Sequence, residues 1–178
     1  MIRLKNFDYS QNGAYFVTVC TQDKRHIFGK IVDEERTPVG QGLCSCRPAA
    51  RCRLRPIGQI IEAEWYALAE RYPHVAFDKF IVMPNHIHGI VLIKSGERHD
   101  GRQEQSPCPT RISLSDIMSA YKSITTERCN EMDERPGRKI WQFRYYDHII
   151  RSEPDYLRVW QYIDENPAAW REDEYFSE

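Results

Sequence analysis

Residues 76–94 read AFDKFIVMPNHIHGIVLIK, two apolar runs broken only by Pro84 and Asn85. Short apolar runs rich in β-branched and aromatic residues, punctuated by turn formers, predict a buried hairpin with strands Ala76–Met83 and from His86 or Ile87 to Lys94. One residue separates His86 from His88 in the second strand. Period-two geometry puts both imidazoles on one face and Ile87 on the other. Two polar rings in an apolar strand need partners, and either a divalent metal or hydrogen bonds to backbone and water would supply them.

The other elements follow from pattern. Asn12 and Gly13 precede AYFVTVCT, a strand over 14–21 with Tyr15, Val17 and Val19 on one face; His26–Val32 is a second candidate strand. Residues 33–56 mix Pro, Gly, Cys and Arg without periodicity, and 95–110 are similarly polar and irregular, so both are expected to be mobile loops outside the chemistry. Ile57, Ile60, Ile61, Trp65 and Leu68 recur at helical spacing up to Arg71. Ser113 and Asp116 form a capping-box-like start to a helix reaching about Glu131. IWQFRYYDHII is extended and aromatic, and Ser152 opens a last helix that Pro167 closes at or before Asn166. This order predicts an α+β fold, an antiparallel sheet with flanking helices of ferredoxin-like type.

At 178 residues with 41% hydrophobic content, the chain supports one domain with a real core. No apolar run is long enough to span a membrane, and MIRLKNFDYSQNG lacks the apolar stretch of a signal peptide, so a cytoplasmic protein without membrane partners is expected. Six cysteines are then expected as free thiols; Cys44, Cys46 and Cys52 lack the repeated pair and nearby His of a zinc site. The net charge of −1 is segregated: residues 1–58 hold 10 basic and 5 acidic side chains, whereas 153–178 hold 2 and 8. A near-neutral total gives no general argument for nucleic acid, so any phosphate contacts must be local.

Along the last helix, Arg158, Tyr162 and Asn166 lie at i, i+4 and i+8 as a polar stripe, while Tyr156, Trp160 and Ile163 form an apolar stripe for the sheet. A tyrosine in such a place is either a rim residue with a wet hydroxyl or, if its proton is removed, a nucleophile.

Three segments together, AYFVTVCTQDKRHIFG, MPNHIHGIV, and WQFRYYDHIIR followed by YLRVWQYIDENP, resemble the REP-associated tyrosine transposases, a branch of the single-tyrosine HUH transposases. The resemblance spans most of the chain and leaves out the two irregular segments. It implies an HUH endonuclease type of fold, with His86, His88 and Asn166 as metal ligands and Tyr162 as the nucleophile; other members use Gln where Asn166 stands. It further implies single-stranded or hairpin DNA as substrate, nicked and rejoined through a 5′-phosphotyrosine. Tyr121, Tyr145 and Tyr146 compete for the nucleophile's role, but only Tyr162 lies in the matching YIDENP context.

A divalent Mg²⁺ or Mn²⁺ suits phosphoryl chemistry, with two imidazoles tilting the preference toward Mn²⁺. DNA contacts are expected from Lys24 and Arg25, with Arg3 and Lys5, and from Arg144, Arg151 and Arg158. The acidic tail, residues 171–178, is ill suited to hold DNA and is expected over the basic surface or the active site. A monomer is favoured over a homodimer. Two alternatives stay open: a hairpin-binding or regulatory protein of the same fold without cleavage, and a metal-dependent hydrolase that uses water.

Overall fold

Gly13–Cys20 (β1), Gly29–Asp33 (β2), Ala50–Leu54 (β3), Pro56–Arg71 (α1), Val75–Val82 (β4), His86–Ile93 (β5), Leu114–Met132 (α2), Tyr146–Ile150 (β6) and Glu153–Glu165 (α3) follow one another along the chain. They come from a computed structural model that describes residues 8–9, 11–33, 50–94 and 112–176. The main sheet is ordered β4-β5-β1-β6, every neighbouring pair antiparallel. With the β2–β3 pair set aside, the chain order is β-α-β-β-α-β, which gives the expected ferredoxin-like arrangement.

Alternation along β1 and β5 divides the interior into two layers. Tyr15, Val17 and Val19 of β1 with Ile87, Val91 and Ile93 of β5 lie under α1 and α2, packed by Ile61, Trp65, Leu68, Ile117 and Tyr121. Trp65 stacks on Phe80 at 4.4 Å between ring centroids. Its indole reaches the sheet only because residue 89 is Gly; a Cβ there would sit 2.4 Å from the ring. On the opposite layer, Phe16, Ile90 and Ile150 meet Val159 and Ile163 of α3.

The starts of α2 and α3 obey the caps read from the sequence, whereas the sequence pattern places Pro56 in the loop before α1. Ser113 and Asp116 form a reciprocal capping box, Pro56 opens α1, and the Ser152 side chain accepts from the Asp155 amide at the start of α3. One expectation for α3 is corrected: Val159, rather than Trp160, pairs with Ile163 to anchor the helix, and Trp160 stays at the surface. Lys79 lies 3.8 Å from the centre of the Trp160 ring and pairs with Asp164, while the Tyr156 hydroxyl donates to Asp78. Asp78 and Lys79 sit where the β4–β5 register shifts, so an irregularity in an edge strand supplies the polar contacts that tie α3 to the sheet.

The irregular reading of 33–56 also fails at its end. Residues 50–54 form β3, paired antiparallel with β2 through Ile31 and Cys52. Arg51 and Arg53 alternate with Cys52 and Leu54, a period of two that the arginines obscure. Burial pushes the Cys52 thiol up to about 12 and leaves it free, against a thiolate site. The second strand begins at Gly29 rather than His26 and joins this small sheet. Arg3, Lys5, residues 34–49 with Cys44 and Cys46, and residues 95–110 with Cys108 lie outside the described residues.

Candidate active site

β5 carries the two histidines at the end of the sheet where it pairs with β1, His88 opposite Thr18 and His86 opposite Cys20. Both rings are fully buried on the α3 side. Their Nε2 atoms face each other at 2.9 Å. Each outer nitrogen has a partner: His86 Nδ1 lies 2.8 Å from Asn85 Oδ1, and His88 Nδ1 lies 2.8 Å from Thr18 Oγ1. The Asn85 amide donates to the carbonyls of Lys24 and Tyr175, at 3.2 and 2.9 Å, so its Oδ1 is the acceptor and His86 Nδ1 carries the proton. That fixes the tautomer and leaves a lone pair on His86 Nε2; Thr18 can accept from His88 in the same way.

Burial drives both imidazoles toward the neutral form. It lowers His86 to about 3, helped by the Lys24 charge, and holds His88 well below its ordinary value, helped by His86. Neutral rings with lone pairs on one point are ready ligands.

α3 brings the complement. The Tyr162 hydroxyl lies 3.5 Å from His88 Nε2, its ring edge-on to Phe16 and 40% exposed. One turn on, Asn166 is buried; its Nδ2 donates to Asp173, and its Oδ1 has no hydrogen-bond partner. An orphaned buried oxygen is costly unless something electropositive meets it.

After α3 the chain turns back, and residues 170–176 lie across the site. The Tyr175 ring covers His86 and His88 at 4.9 and 5.8 Å, and Trp170 packs beside His86 at 5.8 Å. Asp173 joins the two histidines, their ligand atoms all within 4.8 Å of one another, and accepts from Tyr162 at 3.4 Å. His86, His88 and Asp173 with the free oxygen of Asn166 offer two nitrogens and two oxygens, a donor set that fits a divalent transition ion or Mg²⁺. Burial, then Asp173 and Glu174, push the Tyr162 phenol well above its ordinary value.

The residues read as DNA contacts are partly engaged with protein groups. Arg158 lines the Tyr162 pocket but pairs with Asp155, which also holds His148. Lys24 donates to the carbonyl of Glu174 in the strap formed by residues 170–176, and Arg25 donates to the carbonyls of Gln22 and Lys139. Arg144 and Arg151 are exposed. Among the competing tyrosines, Tyr121 is buried on the far layer with its hydroxyl on the Ile61 carbonyl, Tyr145 packs against that same core, and Tyr146 lines the Tyr162 pocket.

Four site residues were not singled out by sequence. Thr18 is the polar residue that the β1 register sets opposite His88, and Asn85 reads as a turn former. Asp173 and Tyr175 are hidden in the acidic tail, although its place over the site follows from its charge.

An uncharacterised protein of Haemophilus influenzae is 30% identical over 98% of this chain and 91% of its own length. The chain belongs to the same family as that protein. A REP-associated tyrosine transposase, solved bound to a REP hairpin, matches 96% of this chain and 74% of its own at a TM-score of 0.59 and 19% identity. The fold is therefore that of the transposases whose motifs the sequence resembles. A candidate transposase from Deinococcus radiodurans R1 matches 93% of this chain and 97% of its own at 13% identity, with a TM-score of 0.47. No protein-family model matches the chain. On this transposase fold, the histidine pair lies at the end of a central strand and Tyr162 on the helix that crosses it. No helix among the described residues is long and apolar enough to cross a membrane.

Proposed function

We propose that the chain nicks and rejoins single-stranded DNA at hairpin-forming repeats, with Tyr162 as nucleophile and His86, His88 and Asn166 as holders of a divalent Mg²⁺ or Mn²⁺. One observation carries this reading: two buried imidazole nitrogens face each other at 2.9 Å with the Tyr162 hydroxyl 3.5 Å from one of them, and one turn along α3 the buried Asn166 oxygen has no hydrogen-bond partner. When bound, the cation would neutralise a nonbridging phosphate oxygen and stabilise transition-state charge.

The Tyr162 oxygen, losing its proton, attacks phosphorus; an O–P bond forms, the bond to the 3′ oxygen breaks, and that oxygen leaves as a protonated hydroxyl. A 3′ hydroxyl attacking the phosphotyrosine reverses the step and returns the phenol. Phe16 and the α3 backbone hold the ring in place, which keeps the attacking atom oriented. His88, Asn166 and Tyr162 all come from one chain, which supports a site completed without a partner.

Asp173 opposes the reaction in the arrangement described. Its carboxylate stands beside both the phenol and the candidate ligands, where an anionic phosphate would have to enter. The strap must therefore withdraw before DNA reacts, and Asp173 serves as a ligand only while it is in place.

The test uses a single strand labelled at its 3′ end, the part that a 5′-phosphotyrosine retains, carrying a palindromic repeat and its flanks from DNA adjoining the gene. Incubation with Mn²⁺ or Mg²⁺ should give a protein–DNA band that survives denaturation and disappears with EDTA. Binding without that band would favour the hairpin-binding alternative, and cutting without it the water-using hydrolase.

A further inference from the structure

Phe143 is the most exposed large apolar side chain among the described residues, at 94%. It does not sit on a loose loop. The Lys122 ammonium donates to the carbonyls of Gln142 and Phe143 at 2.6 and 2.9 Å. Just before it, the Gln142 amide donates to the Cys20 carbonyl at 2.9 Å, and Trp141 bridges to Thr21 and donates to Thr125 at 2.8 Å. The backbone on both sides is thus pinned to the site end of β1 and to α2, while the ring projects into water. An aromatic ring held out in this way exposes apolar area that folding does not require.

The surroundings are cationic. Arg144 follows Phe143 and is exposed, and Lys139 lines the same groove as Phe143. Arg25 spends its hydrogen bonds on the carbonyls of Gln22 and Lys139, which orient its guanidinium without neutralising it. Gln22, Ser123 and Thr126 add polar groups to that groove; Glu127 is its one carboxylate among the described residues, and its Arg138 is paired with Asp133 at 2.6 Å.

Position links this surface to the chemistry. Three residues after Phe143, Tyr146 pairs with Thr18 and lines the Tyr162 pocket. Three extended residues span at most about 10 Å. Phe143 is therefore within about 10 Å of chain from a residue that lines the Tyr162 pocket.

We propose that Phe143 is a stacking platform for an unpaired base in the DNA strand next to the scissile phosphate, with Arg144, Lys139 and Arg25 on that strand's backbone. Rings and cations side by side are how proteins hold single strands without reading sequence, and every base offers a face to stack. This proposal rests on the nuclease reading above and adds the subsite for the unpaired strand.

The full-length protein is tested by fluorescence anisotropy on two probes: the labelled repeat hairpin with its single-stranded flanks, and the same hairpin trimmed flush. Phe143→Ala should weaken binding of the flanked probe by about 5- to 100-fold, the range for one base–aromatic stack, while the flush hairpin is bound as before. Phe143→Trp should restore the affinity. With 2-aminopurine placed at successive flank positions, the unmodified protein should change the fluorescence at one position, and Phe143→Ala should abolish that change. Unaltered thermal melting confirms that the variant is folded, as its exposure leads one to expect. Binding of the flanked probe by Phe143→Ala as tight as by the unmodified protein, with the fluorescence change retained, would overturn the stacking role and leave the nuclease reading intact. Failure of the unmodified protein to bind the flanked probe would overturn both.

Discussion

The two layers of the central sheet are built by the same strands and put to opposite uses. Toward α1 and α2, alternate residues of β1 and β5 are Tyr15, Val17, Val19, Ile87 and Val91, a dry core closed by Trp65. Toward α3, the residues between them are Phe16, Thr18, His86, His88 and Ile90: apolar in the middle of the sheet, polar at its end. A one-residue slip in β5 would exchange Ile87 with the histidines, so the hydrophobic demand of one layer fixes the register that aims both imidazoles into the other. Stability is concentrated on one side, which leaves the other free to hold groups that a core would exclude.

The widest separation of the two layers comes from neighbouring substitutions in β5. His88→Ala should reduce metal-dependent adduct formation to background while the protein still folds, because it removes a proposed ligand whose hydrogen-bond partners are Thr18, His86 and Tyr162. Ile87→Ala should instead cost about 2–5 kcal/mol in a denaturant titration and leave the folded fraction able to form adducts. Loss of folding in His88→Ala, or selective loss of chemistry in Ile87→Ala, would break the division of roles.

A smaller effect is expected at the strap. Asp173→Asn keeps the shape of the side chain and removes the charge that, with burial and Glu174, raises the Tyr162 phenol. Adduct formation on a labelled hairpin should then rise by up to roughly tenfold, because a strap without that charge yields more readily to an anionic phosphate. A fall accompanied by weaker Mn²⁺ binding would instead place Asp173 among the ligands during the reaction.

Much of this was legible in the chain. Period two around His86 and His88, the caps at Ser113 and Ser152, and the i, i+4 relation of Tyr162 and Asn166 are local, and local geometry is what a sequence encodes most directly. Thr18 and Asp173 were not legible as site residues, since one depends on strand register and the other on where a chain lands after leaving α3. The exchange of Trp160 for Val159 has a similar origin. Both sit at helical spacing, and the Lys79 cation at the β4 irregularity decides which of them stays outside.

A separate effect is on acid stability. The folded His86 titrates near 3, far below its ordinary 6.5, so between those values the unfolded chain binds a proton that the folded chain refuses. Stability of the metal-free protein should be fully present above about 6.5 and decline as pH falls toward 3, with His88 acting in the same direction. Melting temperatures measured across that interval check the sign, and a flat profile would mean that the rings are more hydrated than their burial indicates.

The central claim, that Tyr162 carries the DNA, is tested most directly by locating the bond. Protein incubated with Mn²⁺ and the flanked hairpin, digested with nuclease and protease, and read by tandem mass spectrometry should yield one peptide bearing a nucleotide through a phosphotyrosine at Tyr162, and none from the Tyr162→Phe variant. A nucleotide on Tyr146 or Tyr175, or cleaved DNA with no modified tyrosine, would contradict the account.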